Sequence, residues 1–218
     1  MAHRADITKL SVPGVPKFNP MMLLHGEEKV ETYSPIEVDT TVVITETIVD
    51  LQDKKKATVM VIESAIHDKE SKELKAKIYT NLFIRGIGGF GNKGTYKNFI
   101  PNAPKSAPAH VSEETTTPNQ AFIYRLCGDR NPLHVDPQMG EMAGFEKPIL
   151  HGLCTFGISA RAIFQAFHKE DPNLMKSISA RMTSHVFPGE TLVVEKWREG
   201  NTVVFQTKTK ERGLVVLK

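Results

Sequence analysis

The sequence predicts an α+β protein made of two copies of one unit, an antiparallel sheet wrapped on a central helix, with the helix lost from the first copy. Three observations support this prediction. Runs of β-branched residues occur in both halves of the 218-residue chain, and one strong amphipathic helix occurs in the second half. An internal repeat is the third, because Met22–Glu27 resembles Pro148–Leu153, each with a His-Gly dipeptide.

Composition restricts the class of protein. With 40% hydrophobic and 24% charged residues, the chain is neither collagen-like, nor disordered, nor a bare coiled coil. No apolar run reaches the roughly 20 residues of a membrane helix, and the start lacks a signal peptide's apolar stretch. The net charge of +3, evenly mixed, argues against a nucleic-acid partner. Two cysteines, Cys127 and Cys154, are too few for a disulfide framework and indicate a reducing compartment.

The N-terminal repeat is predicted to span residues 1–100. Residues 1–20 contain three prolines and are predicted to be extended. Strands are predicted at 38–45, 57–65 and 75–85, with polar turns at 53–56 and 67–70, which together form an antiparallel meander. Residues 27–33 are too few and too polar for the helix of the second copy. We therefore expect an apolar groove in this repeat, suited to a long acyl chain.

Residues 86–120 are rich in Gly, Pro, Asn and Ser, and within them residues 101–118 are predicted to link the two repeats. The first six residues of this stretch, Gly86–Gly91, fit the dinucleotide-binding pattern G-x-G-x-x-G. A phosphate site of that kind needs a helix N-terminus directly afterwards, and residues 92–98 have no helical period. The segment is therefore interpreted as a glycine-rich turn.

The C-terminal repeat is predicted to span residues 119–218. A helix is predicted at 155–168, where five apolar residues share one side: Phe156, Ala160, Ile163, Phe164 and Phe167. Strands are predicted at 191–197, 202–208 and 213–218. The last strand is shorter than its counterpart in the first repeat, and few residues precede His25 in the first repeat. We therefore expect a chain that is clipped at both ends.

The densest cluster of reactive side chains lies within residues 124–136, where Asp129 and His134 are separated by a turn containing Pro132. An imidazole can give or take a proton near neutral pH, and a carboxylate can orient or activate water. An alternative is that this segment is only a turn rich in Asp and Asn. The helix N-terminus near Gly152 could accept negative charge developing on a carbonyl oxygen. Acid, base and oxyanion donor together would form a carbonyl-activating site.

Residues 124–137 and 143–157 resemble the hydratase 2 motif of the MaoC-like enoyl-CoA hydratases. Among these hydratases, they resemble the hydratase 2 domain of peroxisomal multifunctional enzymes type 2. Residues 18–25 and 85–93 extend the resemblance to nearly the whole chain. It implies a double hot-dog fold whose second unit is catalytic. It also implies hydration of trans-2-enoyl-CoA to (3R)-3-hydroxyacyl-CoA in fatty-acid β-oxidation, with neither a metal nor a redox cofactor.

The same resemblance implies roles for individual residues. Asp129 and His134 match the catalytic pair that activates water, and Asn131 matches the residue that helps to fix the pair. Gly152 matches the backbone amide that receives the thioester oxygen. Further substrate contacts are expected at His25, Gly26 and Lys54 in the first repeat and at Met182 in the second. The neighbouring His151 is interpreted as a packing or capping residue.

The partner implied by the resemblance is an acyl-CoA, bound by a homodimer, with no nucleic acid and no membrane span. A peroxisomal location rests on the resemblance alone, since Val216-Leu217-Lys218 is not a Ser-Lys-Leu signal; otherwise the chain is expected in the cytoplasm. Two alternatives remain. One is a non-catalytic acyl-CoA-binding remnant, and the other is a different hot-dog enzyme, a dehydratase or thioesterase. The spacing Asp129-x-Asn131-x-x-His134 favours the hydratase.

Overall fold

The computed structural model describes Phe18, Met22–Lys169 and Asp171–Lys218. The extended conformation predicted for residues 1–20 therefore lies almost entirely outside the described residues. The chain forms two compact units. The first comprises the residues up to Asn98 together with Lys176–Ser179, and the second comprises Phe99–Met175 and Ala180–Lys218. No helix among the described residues combines the length and apolar character needed to cross a bilayer.

Antiparallel strands dominate both units, which confirms the α+β prediction. The strands are β1 (Leu23–Thr32), β2 (Val42–Asp53), β3 (Ala57–Asp68), β4 (Leu74–Arg85), β5 (His110–Thr115), β6 (Ser177–Arg181), β7 (Thr191–Glu199), β8 (Thr202–Thr209) and β9 (Val215–Leu217). The α-helices are α1 (Gln120–Tyr124), α2 (Pro137–Met142) and α3 (Gly152–Phe167). One sheet has the order β2-β3-β4-β1-β6 and the other has the order β5-β7-β8-β9.

The first unit contains no α-helix among its described residues, as the repeat predicted. Opposed residues of β3 and β4, such as Met60 and Leu82, place their side chains on one face of its sheet. That face differs from the expected open groove, because Met60, Leu82 and Ile84 are at most 5% exposed. Apolar side chains including Leu23 and Ile48 pack against them. An apolar sheet face without its helix is thus covered by neighbouring side chains, which removes it from water.

The glycine-rich segment after β4 is a loop, and no helix follows it within residues 86–98. The Asp53 carboxylate accepts hydrogen bonds from the backbone N–H groups of Gly89, at 3.0 Å, and Gly91, at 2.6 Å. Asp50 in the same strand accepts from Thr95 and Tyr96, both at 2.8 Å. Amides that could cradle a phosphate are therefore already bound to a carboxylate of the chain. The glycine-rich turn predicted for this segment is confirmed.

The second unit contains α3 and a four-stranded sheet. Apolar side chains from the helix, its preceding segment and the strands form the core: Ala121, Leu150, Cys154, Val186, Leu192 and Val216. The helix begins three residues before the predicted start, at Gly152. The predicted linker 101–118 also contains β5, which pairs with β7 from Thr115↔Thr191 to His110↔Lys196. Its turn-forming neighbours concealed this edge strand in the sequence.

Two short helices, α1 and α2, were not predicted, because five or six residues are too few to show a helical period. Tertiary contacts stabilise α1, since Ala121 is 1% exposed within the core of the second unit. A side-chain cap stabilises α2, because Asp136 accepts a hydrogen bond from the Gln138 amide at 2.9 Å. These two helices flank the loop that carries the candidate catalytic pair.

Candidate active site

Two successive side-chain-capped turns build the loop from Asp129 to His134. Gly128 adopts φ 116°, which a residue with a Cβ rarely adopts, and it reverses the chain after α1. Asp129 Oδ1 then accepts a hydrogen bond from the Asn131 amide at 3.1 Å, and Asn131 Oδ1 accepts from the Leu133 amide at 3.0 Å. The turn rich in Asp and Asn, considered as an alternative to a site, is therefore present. This turn positions the side chains of Asp129 and His134.

His134 is buried, with 9% of its surface exposed. Its Nδ1 lies 2.7 Å from the carbonyl oxygen of Ile149. A carbonyl oxygen can only accept, so the hydrogen-bond network assigns the proton to Nδ1 and leaves a lone pair on Nε2. Burial lowers the pKa of His134 from its ordinary value, although the hydrogen bond to Ile149 and the charge of Asp129 act in the opposite direction. The ring is thus a neutral acceptor at its free nitrogen.

His151 lies inside this cluster, where the sequence had suggested only packing or capping. Its ring stacks on His134 with 3.7 Å between the ring centroids and an interplanar angle of 27°. The Nε2 atom is 3.3 Å from the backbone carbonyl oxygen of Asp129, and the Tyr124 ring lies 4.7 Å away on centroids. Burial, and then the neighbouring His134, lower the pKa of His151. At the start of α3, its side chain forms no capping hydrogen bond.

Gly152 is the first residue of α3, and no described residue accepts its backbone N–H. The first amides of a helix have no partner within the helix and lie at its positive end. A Cβ at this position would lie 3.2 Å from Met182 Cγ. The structure therefore brings together Gly152 and Met182, two predicted substrate-contacting residues, with little room between them for a Cβ at position 152.

The predicted substrate residues of the first unit occupy β1 and the turn between β2 and β3. His25 Nε2 lies 2.9 Å from Glu28 Oε2, and Glu28 is buried. Gly26 lies at a bulge in β1, where a Cβ would be 3.2 Å from the Asn81 carbonyl oxygen. Lys54 is exposed in the turn. Their contact with substrate stays a prediction.

A metal site was considered because Asp129, His134 and His151 offer ligand atoms within 4.8 Å of one another. These residue types suit transition metals. However, His134 Nδ1 and His151 Nε2 carry protons in their hydrogen bonds to carbonyl oxygens and offer no lone pair. The remaining His151 Nδ1 is buried without a partner among the described residues. Each ring keeps one nitrogen with a lone pair, and such a nitrogen can accept a proton.

The arrangement combines two acceptors and one donor. The Asp129 carboxylate and His134 Nε2 can accept protons from a water molecule, and the Gly152 amide can donate to an oxygen that gains negative charge. Backbone groups of Ile149 and Asp129 hold the rings in place. Sequence reasoning could not have found these partners, because a carbonyl group is present in every residue.

Comparison with known proteins identifies the family of the chain. Residues 99–218 match the model of the MaoC like domain, and residues 2–86 match that of the MFE-2 hydratase 2 N-terminal domain. Peroxisomal enoyl-CoA hydratase 2 of Arabidopsis thaliana is 44% identical over 217 residues, which cover 95% of this chain and 70% of that protein.

Solved structures give the same result. The crystal structure of a MaoC-like dehydratase from Phytophthora capsici superposes with a TM-score of 0.86 at 39% identity, covering 94% of this chain and 72% of that one. A Mycobacterium tuberculosis protein with a double hotdog fold superposes with a TM-score of 0.55 at 12% identity, covering 91% and 74% of the two chains, and so supports the fold alone. The predicted double hot-dog fold is confirmed.

Proposed function

The chain belongs to the MaoC-like family and is a hydro-lyase of the enoyl-CoA hydratase 2 type, and we propose that its Asp129–His134 site carries the reaction. In this reaction, water adds reversibly across the double bond of a trans-2-enoyl-CoA and gives a (3R)-3-hydroxyacyl-CoA. The observation that carries the assignment to this site is the hydrogen bond from His134 Nδ1 to Ile149. It leaves Nε2 free to accept a proton beside the Asp129 carboxylate.

The protonation state of the pair determines the order of proton transfers. The Asp129 carboxylate and His134 Nε2 both begin as acceptors, so neither can give C2 of the substrate a proton at the outset. The pair first takes a proton from water as the oxygen bonds to C3, and the proton then goes to C2. The pair thus returns to its starting state after each turnover. General acid–base help of this kind contributes roughly 10²–10⁴-fold to rate.

The Gly152 amide is proposed to receive the thioester oxygen. Polarising that carbonyl draws electron density from C3, which makes C3 electrophilic, and stabilises the enolate-like charge that develops as water adds. One oxyanion donor is typically worth about 3 kcal/mol of transition-state stabilisation. The position of Gly152 at the start of a 16-residue helix supports this role.

We propose that the first unit contacts the CoA and acyl parts of the substrate through His25, Gly26 and Lys54. The exposure of Lys54 supports this, since Lys54, Lys55 and Lys56 form a basic turn that could attract phosphate groups. We also propose that the chain acts in peroxisomal fatty-acid β-oxidation as a homodimer, with neither a metal nor a redox cofactor. Sedimentation of the purified chain tests the dimer, and organelle fractionation tests the location.

The function is tested by following the loss of enoyl-thioester absorbance with trans-2-decenoyl-CoA, and by chiral analysis of the product. The wild-type chain is expected to form the 3R alcohol, and Asp129→Asn is expected to be inactive while remaining folded. Saturable binding of decenoyl-CoA without turnover by a folded wild-type chain would instead favour an acyl-CoA-binding remnant. Hydrolysis to free CoA would favour a thioesterase.

A further inference from the structure

We propose that His151 is a positioning residue that fixes both members of the catalytic pair, holding the ring of His134 by stacking and the main chain of Asp129 by hydrogen bonding. This inference rests on the proposed function, because it concerns the same site. The catalytic pair itself contacts water and substrate, whereas His151 acts through that pair. The role differs from the packing or capping that the sequence alone suggested.

The place of His151 in the fold does not explain its identity. It precedes the first turn of α3, where Ser, Thr, Asp or Asn usually accepts a hydrogen bond from a free amide. The His151 side chain accepts none of these bonds. Its Nδ1 is buried without a partner among the described residues, a condition that costs free energy and calls for an explanation. A residue selected only for stability here would cap the helix.

The contact with His134 supplies a restraint that the hydrogen bond to Ile149 cannot supply. One hydrogen bond at Nδ1 leaves the ring able to tilt about that bond. The His151 ring covers a face of His134 at 3.7 Å between centroids, which fixes the ring plane and therefore the direction of the Nε2 lone pair. Tyr124 packs against His151, 4.7 Å away, and supports the stack.

The hydrogen bond to Asp129 supplies the second restraint. His151 Nε2 donates to the Asp129 carbonyl oxygen at 3.3 Å, so the helix start is tied to the main chain of the exposed loop that carries the carboxylate. The two stacked rings thus hold opposite tautomers, Nδ1–H in His134 and Nε2–H in His151. Each ring donates a hydrogen bond to a backbone carbonyl oxygen, and neither ring donates a hydrogen bond to the other.

Two substitutions separate the two restraints. His151→Phe keeps a ring against His134 and removes the donor to Asp129. His151→Gln keeps an amide donor and removes the ring. His110→Phe is the matched control, because His110 is also a histidine in an aromatic contact of this unit, 5.0 Å from Phe167, and lies outside the site. The measurements are kcat and KM with trans-2-decenoyl-CoA, thermal unfolding, and ¹⁵N NMR of the imidazole nitrogens without substrate.

We expect kcat to fall roughly 10–100-fold in both His151 variants with KM within about twofold, since a small misplacement of reacting groups costs this much. In His151→Gln, the His134 signals are expected to shift and broaden, because the ring can then tilt about its hydrogen bond to Ile149. In His151→Phe, they should remain those of the Nδ1–H tautomer. His110→Phe should match the wild type in all measurements.

The proposal is overturned if both variants keep wild-type kcat, or if the His134 signals of His151→Gln stay those of the wild type. A loss of kcat that matches a loss of folded protein would show a purely structural role and would overturn it as well. An inactive wild-type chain would overturn the proposed function, while the positioning of His134 would still be decided by the NMR spectra.

Discussion

His134 Nδ1 donates a hydrogen bond to the carbonyl oxygen of Ile149 across 2.7 Å. This contact joins the catalytic loop to the segment leading into α3, and it assigns the tautomer of the imidazole. Because Nδ1 carries the proton, Nε2 can accept from water only while the ring is neutral. The reactivity of the pair therefore depends on a backbone group fifteen residues along the chain.

The loss of kcat/KM at low pH is expected to report protonation of the His134 ring. Burial lowers the pKa of His134 below its ordinary value of 6.5, so the active neutral form should persist below that pH. We expect kcat/KM to reach half of its maximum below pH 6.5, as Nε2 becomes protonated. Initial rates in overlapping buffers measure this. A half-maximum at or above pH 6.5 would contradict the assignment.

Folding stability should also fall in acid. Burial lowers the folded-state pKa of both His134 and His151, whereas the unfolded chain keeps values near 6.5. Below pH 6.5 the unfolded state therefore binds more protons, and the free energy of unfolding decreases as pH falls towards the lowered folded-state values. Above pH 6.5 this contribution is fully present. Urea unfolding at pH 5 and pH 7 should show a smaller difference for His151→Phe than for the wild type.

Gly152→Ala should impair catalysis because the added Cβ would lie 3.2 Å from Met182 Cγ. Relieving this contact displaces either the helix start or Met182, and we expect kcat to fall roughly tenfold or more. Gly157→Ala is the control, since a Cβ there meets no atom within 4 Å and the same helix is preserved. This control should keep its activity and gain about 0.5–1 kcal/mol in stability. Equal kcat for the two variants would argue against the role of Gly152.

Asn131→Ala should reduce both stability and kcat. It removes the acceptor of the Leu133 amide, a cap worth about 1 kcal/mol, and loosens the turn that ends at His134. Asn131→Asp keeps an acceptor and should recover most of both. Asp136→Ala removes the comparable cap of α2 and should lower stability by a similar amount without lowering kcat. Denaturant unfolding and steady-state kinetics distinguish these outcomes, and wild-type kcat in Asn131→Ala would be the contrary result.

Lys196→Met should stabilise the second unit. Lys196 is fully buried, and burial lowers its pKa. Its Nζ donates to Ser112 Oγ at 2.5 Å and to the Ala162 carbonyl oxygen at 3.5 Å, and it forms no ion pair with a described carboxylate. Replacing this amine with an apolar chain of similar length should raise the free energy of unfolding by about 1–3 kcal/mol.

The control for Lys196→Met is Lys208→Met on β8. Lys208 is partly exposed and pairs with Glu195 at 2.8 Å, and exposed pairs contribute about 0–1 kcal/mol. Its substitution should therefore leave stability unchanged or slightly lower. Urea unfolding measures both variants, and a lower stability of Lys196→Met would refute the prediction.

The strands with regular alternation were predictable from the sequence. β3, β4, β7 and β8 lie close to their predicted limits, because alternating side chains on a half-buried strand leave a period of two in the sequence. β1 was not predicted, because Glu27, Glu28 and Lys29 interrupt any such pattern. It forms through its pairing with β4, where Glu28 lies opposite Thr80 and accepts a hydrogen bond from it at 2.8 Å.

The sequence by itself determined the residues that can react, the long helix that follows them and the family to which they point. Asp129, His134 and Gly152 were identified because side-chain chemistry, spacing and motif are written in the chain. Only the tertiary structure decided that His151 stacks on His134, and which ring nitrogen carries each proton. The reason is physical: the partners are backbone carbonyls, which every residue has, and folding alone selects those of Ile149 and Asp129.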